Sequence, residues 1–176
     1  MHTSRLKKGA SFMNDLQVAL ELYTVRDETK RDFAGTLRRV AQIGYAGVEF
    51  AGYGNLTSQE MSALLAGTGL RVAGTHLRLD ALQGSQLEAS IRYCHDIHCP
   101  CIVLPSLPKK WRAPEGMRAL APQLNAIGQR CQQHGITFGY HNHDFEFARV
   151  NGGYLIDSLL QATDPSLVKI ELDVYW

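Results

Sequence analysis

Six short runs rich in β-forming residues recur along the chain, each about 30 residues after the last, the length of one strand–helix–strand unit. They are VALELY (18–23), YAGVEF (45–50), LRVAGTHL (70–77), CIVLP (101–105), ITFGYHNH (136–143) and VKIELDV (168–174). The intervening stretches carry apolar residues at helical spacing. Phe33, Leu37, Val40 and Ala41 form one such stripe; Met61, Leu64 and Leu65 form a second; Leu87, Ile91 and Cys94 form a third. The longest stripe is Met117, Leu120, Leu124, Ile127 and Cys131, stopped by Gly135, and Tyr154 to Leu160 reads as a short helix. Thr57-Ser58-Gln59-Glu60 and Ser85-Gln86-Leu87-Glu88 read as capping boxes that start two of the helices. CIVLP is almost wholly apolar, as expected of a strand covered on both faces.

A β-α repeat of this kind builds a parallel sheet, either an open doubly wound sheet or a (β/α)8 barrel. The polar segment TVRDETK after the first strand has no glycine, which removes the dinucleotide-binding fingerprint of the open sheet. No GxxxxGK[ST] follows any strand, which removes a P-loop.

With 176 residues, 45% of them hydrophobic, the chain has material for one cored domain, and intrinsic disorder is excluded. A formal charge of +1 argues against nucleic-acid or membrane-surface binding driven by bulk charge. No apolar run approaches the ~20 residues that cross a bilayer. The start, MHTSRLKKGASF, is basic and polar and lacks a signal-peptide core. Residues 1–13 are expected to be a leader or a disordered terminus, and 14–176 a partial barrel. Four cysteines in a chain of this size do not make a disulfide scaffold, so a cytoplasmic protein with reduced thiols is expected.

The chemistry lies in what ends each strand, because barrels carry their reactive groups at the C-terminal strand ends. Those ends hold Glu21 and Tyr23, Glu49, His76, His141 and His143, and Glu171 and Asp173. Strand alternation puts Glu171 and Asp173 on one face, and Thr137, Gly139, His141 and His143 on one face. If the apolar faces pack on helices, carboxylates and imidazoles converge at one mouth. Such crowding is costly without a counter-charge. A divalent cation is the usual answer, and imidazole with carboxylate suits Mn, Co, Zn or Mg. Two other clusters stand apart. His95, His98, Cys99 and Cys101 lack a second ligand pair at zinc-finger spacing and fall at the non-catalytic end of the fourth strand, so they read as structural. Lys109-Lys110-Trp111-Arg112 lies in the loop beyond that strand, either solvated or set to bind a substrate phosphate.

LELYTVRD (20–27), GYAGVEFAGYGN (44–55), GTHL (74–77), GITFGYHNHDFEF (135–147) and IELDVYW (170–176) together resemble the sugar phosphate isomerase/epimerase family, the xylose-isomerase-like barrels. The resemblance runs from about Leu16 to the last residue. It implies an α/β fold of the (β/α)8 TIM-barrel type with one divalent metal ion at the mouth. Relatives hold that metal with a carboxylate ending strand five, an Asp ending strand six, a His from strand seven and a Glu from strand eight. Asp173 matches the strand-six ligand. His141 stands at the strand-five position, in His-Asn-His where relatives often have Glu-Asn-His, with Glu146 as a substitute ligand. The resemblance further implies catalytic roles for Glu49, His76 and His143, and substrate contacts from Tyr23 and Trp176. The implied activity is isomerisation or epimerisation of a sugar, sugar phosphate or similar polyol through an enediolate. Dehydratase or lyase chemistry of the same superfamily is one alternative. A non-catalytic, incomplete barrel serving as a binding or assembly module is the other. Only about six of eight strands fall within the sequence, so it reads as C-terminally truncated. The expected partner is a small carbohydrate, not nucleic acid or membrane, with a second copy as a cover for open sheet edges.

Overall fold

The computed structural model describes residues 17–176, so the leader expected over residues 1–13 lies outside the described residues. In chain order the elements are β1 (Ala19–Glu21), α1 (Arg26–Arg31), α2 (Phe33–Ile43), β2 (Gly47–Phe50), α3 (Ser58–Thr68), β3 (Arg71–His76) and α4 (Gly84–Asp96). There follow β4 (Cys101–Leu104), α5 (Pro114–Gln133), β5 (Thr137–His141), β6 (Arg149–Val150), β7 (Gly153–Tyr154), α6 (Leu155–Leu160) and β8 (Lys169–Glu171). All six expected apolar runs form strands. They lie side by side in the order β1-β2-β3-β4-β5-β8, and every neighbouring pair is parallel. This is the partial (β/α) barrel that the repeat implies.

The sheet buries one face under the helices. Val48, Phe50, Ile102, Leu104, Phe138 and Tyr140 are at or near zero exposure, as are Leu37, Met61, Ile91, Met117, Leu120 and Leu124 from the helices. These are the alternate strand positions and the helical stripes that periodicity selects. Each fully buried large side chain contributes about 1.5–3 kcal/mol relative to an exposed one, so this seam holds the helices on the sheet.

The two capping boxes differ. At α3, Glu60 N donates to Thr57 Oγ1 at 3.2 Å and Thr57 N donates to Glu60 Oε2 at 2.8 Å. Replacing Thr57 by alanine leaves a helix-end amide without its acceptor. It is expected to lower unfolding free energy by about 1 kcal/mol in urea titrations, with an unchanged m-value. The expected box at Ser85 does not form. The helix begins at Gly84, its cap position is Gln83, and no side chain caps it. A 3-10 turn at Leu79–Leu82 buries Leu79 and Leu82 just upstream and draws the helix start forward. Ser85 is then already helical and cannot serve as cap.

The β6–β7 hairpin was not legible in the sequence, because each strand is only two residues long. Its turn is Asn151-Gly152, with φ of 51° and 86°, the left-handed pair that two-residue hairpins require. Among the described residues, no helix is long and apolar enough to cross a membrane.

Candidate active site

Because all six barrel strands are parallel, their C-terminal ends share one side of the sheet. Register aligns the polar ends: Glu21 lies beside Glu49, and His141 beside Glu171. Between β2 and β3 the register slips. Val48 pairs with Val72, but Glu49 pairs with Gly74, leaving Ala73 as an extra residue. Simple alternation from Val72, which packs against the core, would turn His76 toward the helices. The bulge reverses that parity and turns His76 to the inner face.

The result is a compact cluster. Glu171 Oε1 lies 2.9 Å from His76 Nε2 and 2.8 Å from His141 Nδ1. His76 Nε2 is 3.7 Å from Glu49 Oε2, His76 Nδ1 is 4.0 Å from Glu21 Oε1, and His141 Nε2 is 3.4 Å from Asp173 Oδ2. One ligand atom each from His76, His141 and Glu171 falls within 4.8 Å of the others, room for one shared cation. The two imidazoles are only 9% and 12% exposed, so bulk water screens them weakly.

The carboxylates of this cluster oppose one another. Burial, and then the charges of Glu171 and Glu21, push the Glu49 carboxyl up to about 8. That shift favours the protonated carboxyl near neutral pH. Burial alone would raise Glu171 too, but hydrogen bonds from His141, His76 and Glu49 outweigh it and hold Glu171 well below the usual carboxylate range. Gly74 makes the pairing sterically feasible. A Cβ there would sit 2.7 Å from Glu49 Oε1, so the Glu49 side chain lies across the bare backbone. The groups that converge here are imidazole and carboxylate, His76, His141 and Glu171, and these make the donor set. That set, crowded with acids and holding a displaceable proton on Glu49, fits a divalent cation.

Two residues that carry this geometry were not among the expected ligands. Glu171 was visible only as one of two acids at the end of its strand, with no signal that it would accept from both histidines. Asn142 is fully buried: its Nδ2 donates to Asp173 O at 2.9 Å, and Asp173 N donates to its Oδ1 at 3.0 Å. This side-chain amide extends the β5–β8 ladder one step beyond His141 and Glu171 and fixes Asp173 in place. Glu146, expected as a substitute ligand, lies elsewhere. Its carboxylate is fully buried, accepts from the Tyr140 hydroxyl at 2.5 Å and from His143 N at 2.8 Å, and so faces the helix side of β5. With both oxygens engaged there, it pins the loop that carries His143.

His143 stands beside the cluster, its ring 5.0 Å from that of His141. Burial, and then the neighbouring His141, hold it below the usual histidine range, which favours the neutral ring. Trp176 stacks on it at 5.3 Å and remains 56% exposed, a ring face at the mouth. Tyr23 is apart from these rings, exposed and covered on one face by the Arg26 guanidinium at 4.6 Å. Of the histidine–cysteine cluster near residue 98, Cys99 is buried in the core, Cys101 is partly buried, and His95 and His98 are exposed.

Comparison with known proteins comes to the same architecture. The family described as xylose isomerase-like TIM barrel matches residues 37–176. A sugar phosphate isomerase/epimerase from Parabacteroides distasonis is similar, with 28% identity and a TM-score of 0.71 over 91% of this chain and 66% of that one. An AP endonuclease, family 2, from Brucella melitensis shares the fold at 17% identity, with a TM-score of 0.69 over 90% of this chain and 69% of that one. A xylose isomerase-like TIM barrel protein from Mycobacterium smegmatis, in complex with magnesium, shares it at 12% identity, with a TM-score of 0.59 over 90% of this chain and 64% of that one. No curated protein sequence matches.

Proposed function

This chain belongs to the xylose isomerase-like TIM barrel family, and from that premise we propose that the protein is a divalent-metal-dependent isomerase or epimerase of a small sugar or sugar phosphate. The observation that carries the reading is the convergence of His76, His141 and Glu171 at three strand ends, ringed by Glu49, Glu21 and Asp173. The activity of the whole protein is part of the proposal, since the chain spans 66% of the Parabacteroides distasonis relative.

His76, His141 and Glu171 would hold the cation, with Asp173 as a further oxygen beside His141. Once bound, it would polarise a substrate carbonyl and stabilise the enediolate left when the adjacent carbon loses its proton. The protein's own groups handle that proton. A carboxylate takes it from the carbon beside the carbonyl. It returns to the neighbouring carbon in isomerisation, or to the opposite face of the same carbon in epimerisation. Glu49 suits this duty, because a carboxyl poised near neutrality both donates and accepts at working pH. Neutral His143 and the exposed face of Trp176 border the same mouth, where they would orient the polyol.

The test is solvent-hydrogen exchange. A panel of pentuloses, hexuloses and their phosphates is incubated in D2O with the protein and Mn²⁺, and followed by proton NMR. Loss of the signal from the hydrogen beside the carbonyl, stopped by EDTA and restored by Mn²⁺, is the expected result. Tight Mn²⁺ binding without exchange on any member of the panel would overturn the catalytic reading.

A further inference from the structure

The basic loop between β4 and α5 stands at the mouth, because in a parallel barrel each strand's C-terminal end leads into the next helix at that side. Arg112 closes this loop. Its Nε donates to Leu107 O at 2.7 Å and its Nη2 to Ser106 Oγ at 3.1 Å. Its guanidinium lies 4.0 Å above the Phe145 ring. Phe145 stacks on His143 at 6.1 Å, and His143 is 5.0 Å from His141. A continuous wall of rings therefore runs from Arg112 to the cation-binding cluster. The guanidinium is fixed by two hydrogen bonds and a stacked ring. Among the described residues its polar partners are Leu107 O and Ser106 Oγ, with no carboxylate among them and none on Nη1.

Three further features point the same way. Lys109 and Lys110 are exposed in the same turn, so three cations fall within four residues. The twenty-residue helix α5 begins at the next residue but one, with no side-chain cap on its positive end. Two buried polar atoms, Trp111 Nε1 in this turn and His143 Nδ1 in the wall, have no hydrogen-bond partner, which is uncommon in a folded interior. By contrast, the other end of the wall is crowded with Glu21, Glu49, Glu171 and Asp173. A substrate lying along it meets a cation site at one end and a guanidinium without an ion-pair partner at the other.

We propose that Arg112, with Lys109 and Lys110, binds the phosphate group of a phosphorylated sugar whose carbonyl end lies at the His76–His141–Glu171 cluster. The inference rests on the sugar-converting reading of that cluster and names its substrate class. A phosphate carries close to two negative charges at neutral pH and three acceptor oxygens, which matches several cations better than a single carboxylate does. Arg112 is thus a specificity residue, remote from the reacting carbons.

Calorimetric titration with inorganic phosphate tests this without any turnover. Wild-type protein is expected to bind phosphate at millimolar concentration or below, and acetate far more weakly. Arg112→Gln is expected to weaken phosphate binding by about tenfold or more, with partial recovery in Arg112→Lys. Arg112 also anchors its loop, so the Lys109→Gln/Lys110→Gln double variant, which leaves that anchor intact, is measured beside it. A severalfold loss is expected there. Separate titrations with Mn²⁺ should give unchanged affinity in all three variants, which keeps a failure of the cation site distinct from a failure of this one. Absence of phosphate binding by the wild type, equal binding of acetate, or undiminished phosphate binding in both Arg112→Gln and the double variant would overturn the proposal.

Discussion

Glu171→Gln is expected to lower affinity for Mn²⁺ by at least about a hundredfold while leaving the apoprotein folded. Loss of an outer partner of a metal ligand already costs about 10–100-fold, and Glu171 is placed as a direct ligand. Its Oε1 receives both His76 Nε2 and His141 Nδ1, so one atom organises two imidazoles. Glutamine keeps the shape and one carbonyl oxygen, but loses the negative charge that a cation needs. The apoprotein should not suffer in proportion. Glu171 is among the charges that raise the Glu49 carboxyl, and removing it relieves that repulsion. The measurement is a Mn²⁺ titration followed by the paramagnetic resonance of free ion, with melting curves in EDTA beside it. Glu146→Gln is the matched control. It loses charge-assisted bonds to the Tyr140 hydroxyl and His143 N in a fully buried place, and should cost about 1–3 kcal/mol of stability with little change in Mn²⁺ affinity. If Glu171→Gln bound Mn²⁺ like the wild type, the assignment of the cation site would be wrong.

Gly128→Ala is expected to destabilise the fold by about 2 kcal/mol, against the sign that helix propensity gives. Gly128 is inside α5, where replacing glycine by alanine normally gains up to about 1 kcal/mol. Here a Cβ would stand 2.4 Å from Leu167 O and 2.9 Å from Leu167 C, and these are backbone atoms that cannot rotate away. Overpacking of this kind typically costs about 1–3 kcal/mol and at such separations reaches the upper part of that range, so packing outweighs propensity. The helix must move off the segment that leads into β8. Since Glu171 ends β8, the same variant should weaken Mn²⁺ binding. Urea unfolding gives the first effect and metal titration the second. A stabilised variant would show that α5 and the Leu167 turn are not in contact.

Much of this protein was readable before any coordinates. The six strands of the parallel sheet and the buried stripe of α5 follow from short-range pattern: apolar residues repeat every two positions in a strand and every three to four in a helix. Met117, Leu120, Leu124, Ile127 and Cys131 are all buried, as that pattern requires. The grouping of acids and histidines at one end was also implied, because parallel strands place all their C-terminal ends together. The Ser85 cap and the β6–β7 hairpin were missed for local reasons. A buried 3-10 turn shifted a helix start by two residues, and two-residue strands are too short to show a period.

The sequence by itself determined the parallel sheet and the family, since both rest on local periodicity and contiguous motifs such as GYHNHDFEF and IELDVYW. Only the tertiary structure decided which polar groups share one point. The extra residue at Ala73 turns His76 inward, a parity change invisible along a single strand because it arises from pairing with β2. Glu171 becomes the common acceptor because β8 lies beside β5 in register with His141, and because β3 brings His76 across the mouth. Glu146, five residues from His141 in the chain, is excluded because its carboxylate is used on the opposite face of β5. Convergence of this kind is a sum of register, bulge and side-chain reach between segments up to 95 residues apart, and no local pattern encodes it.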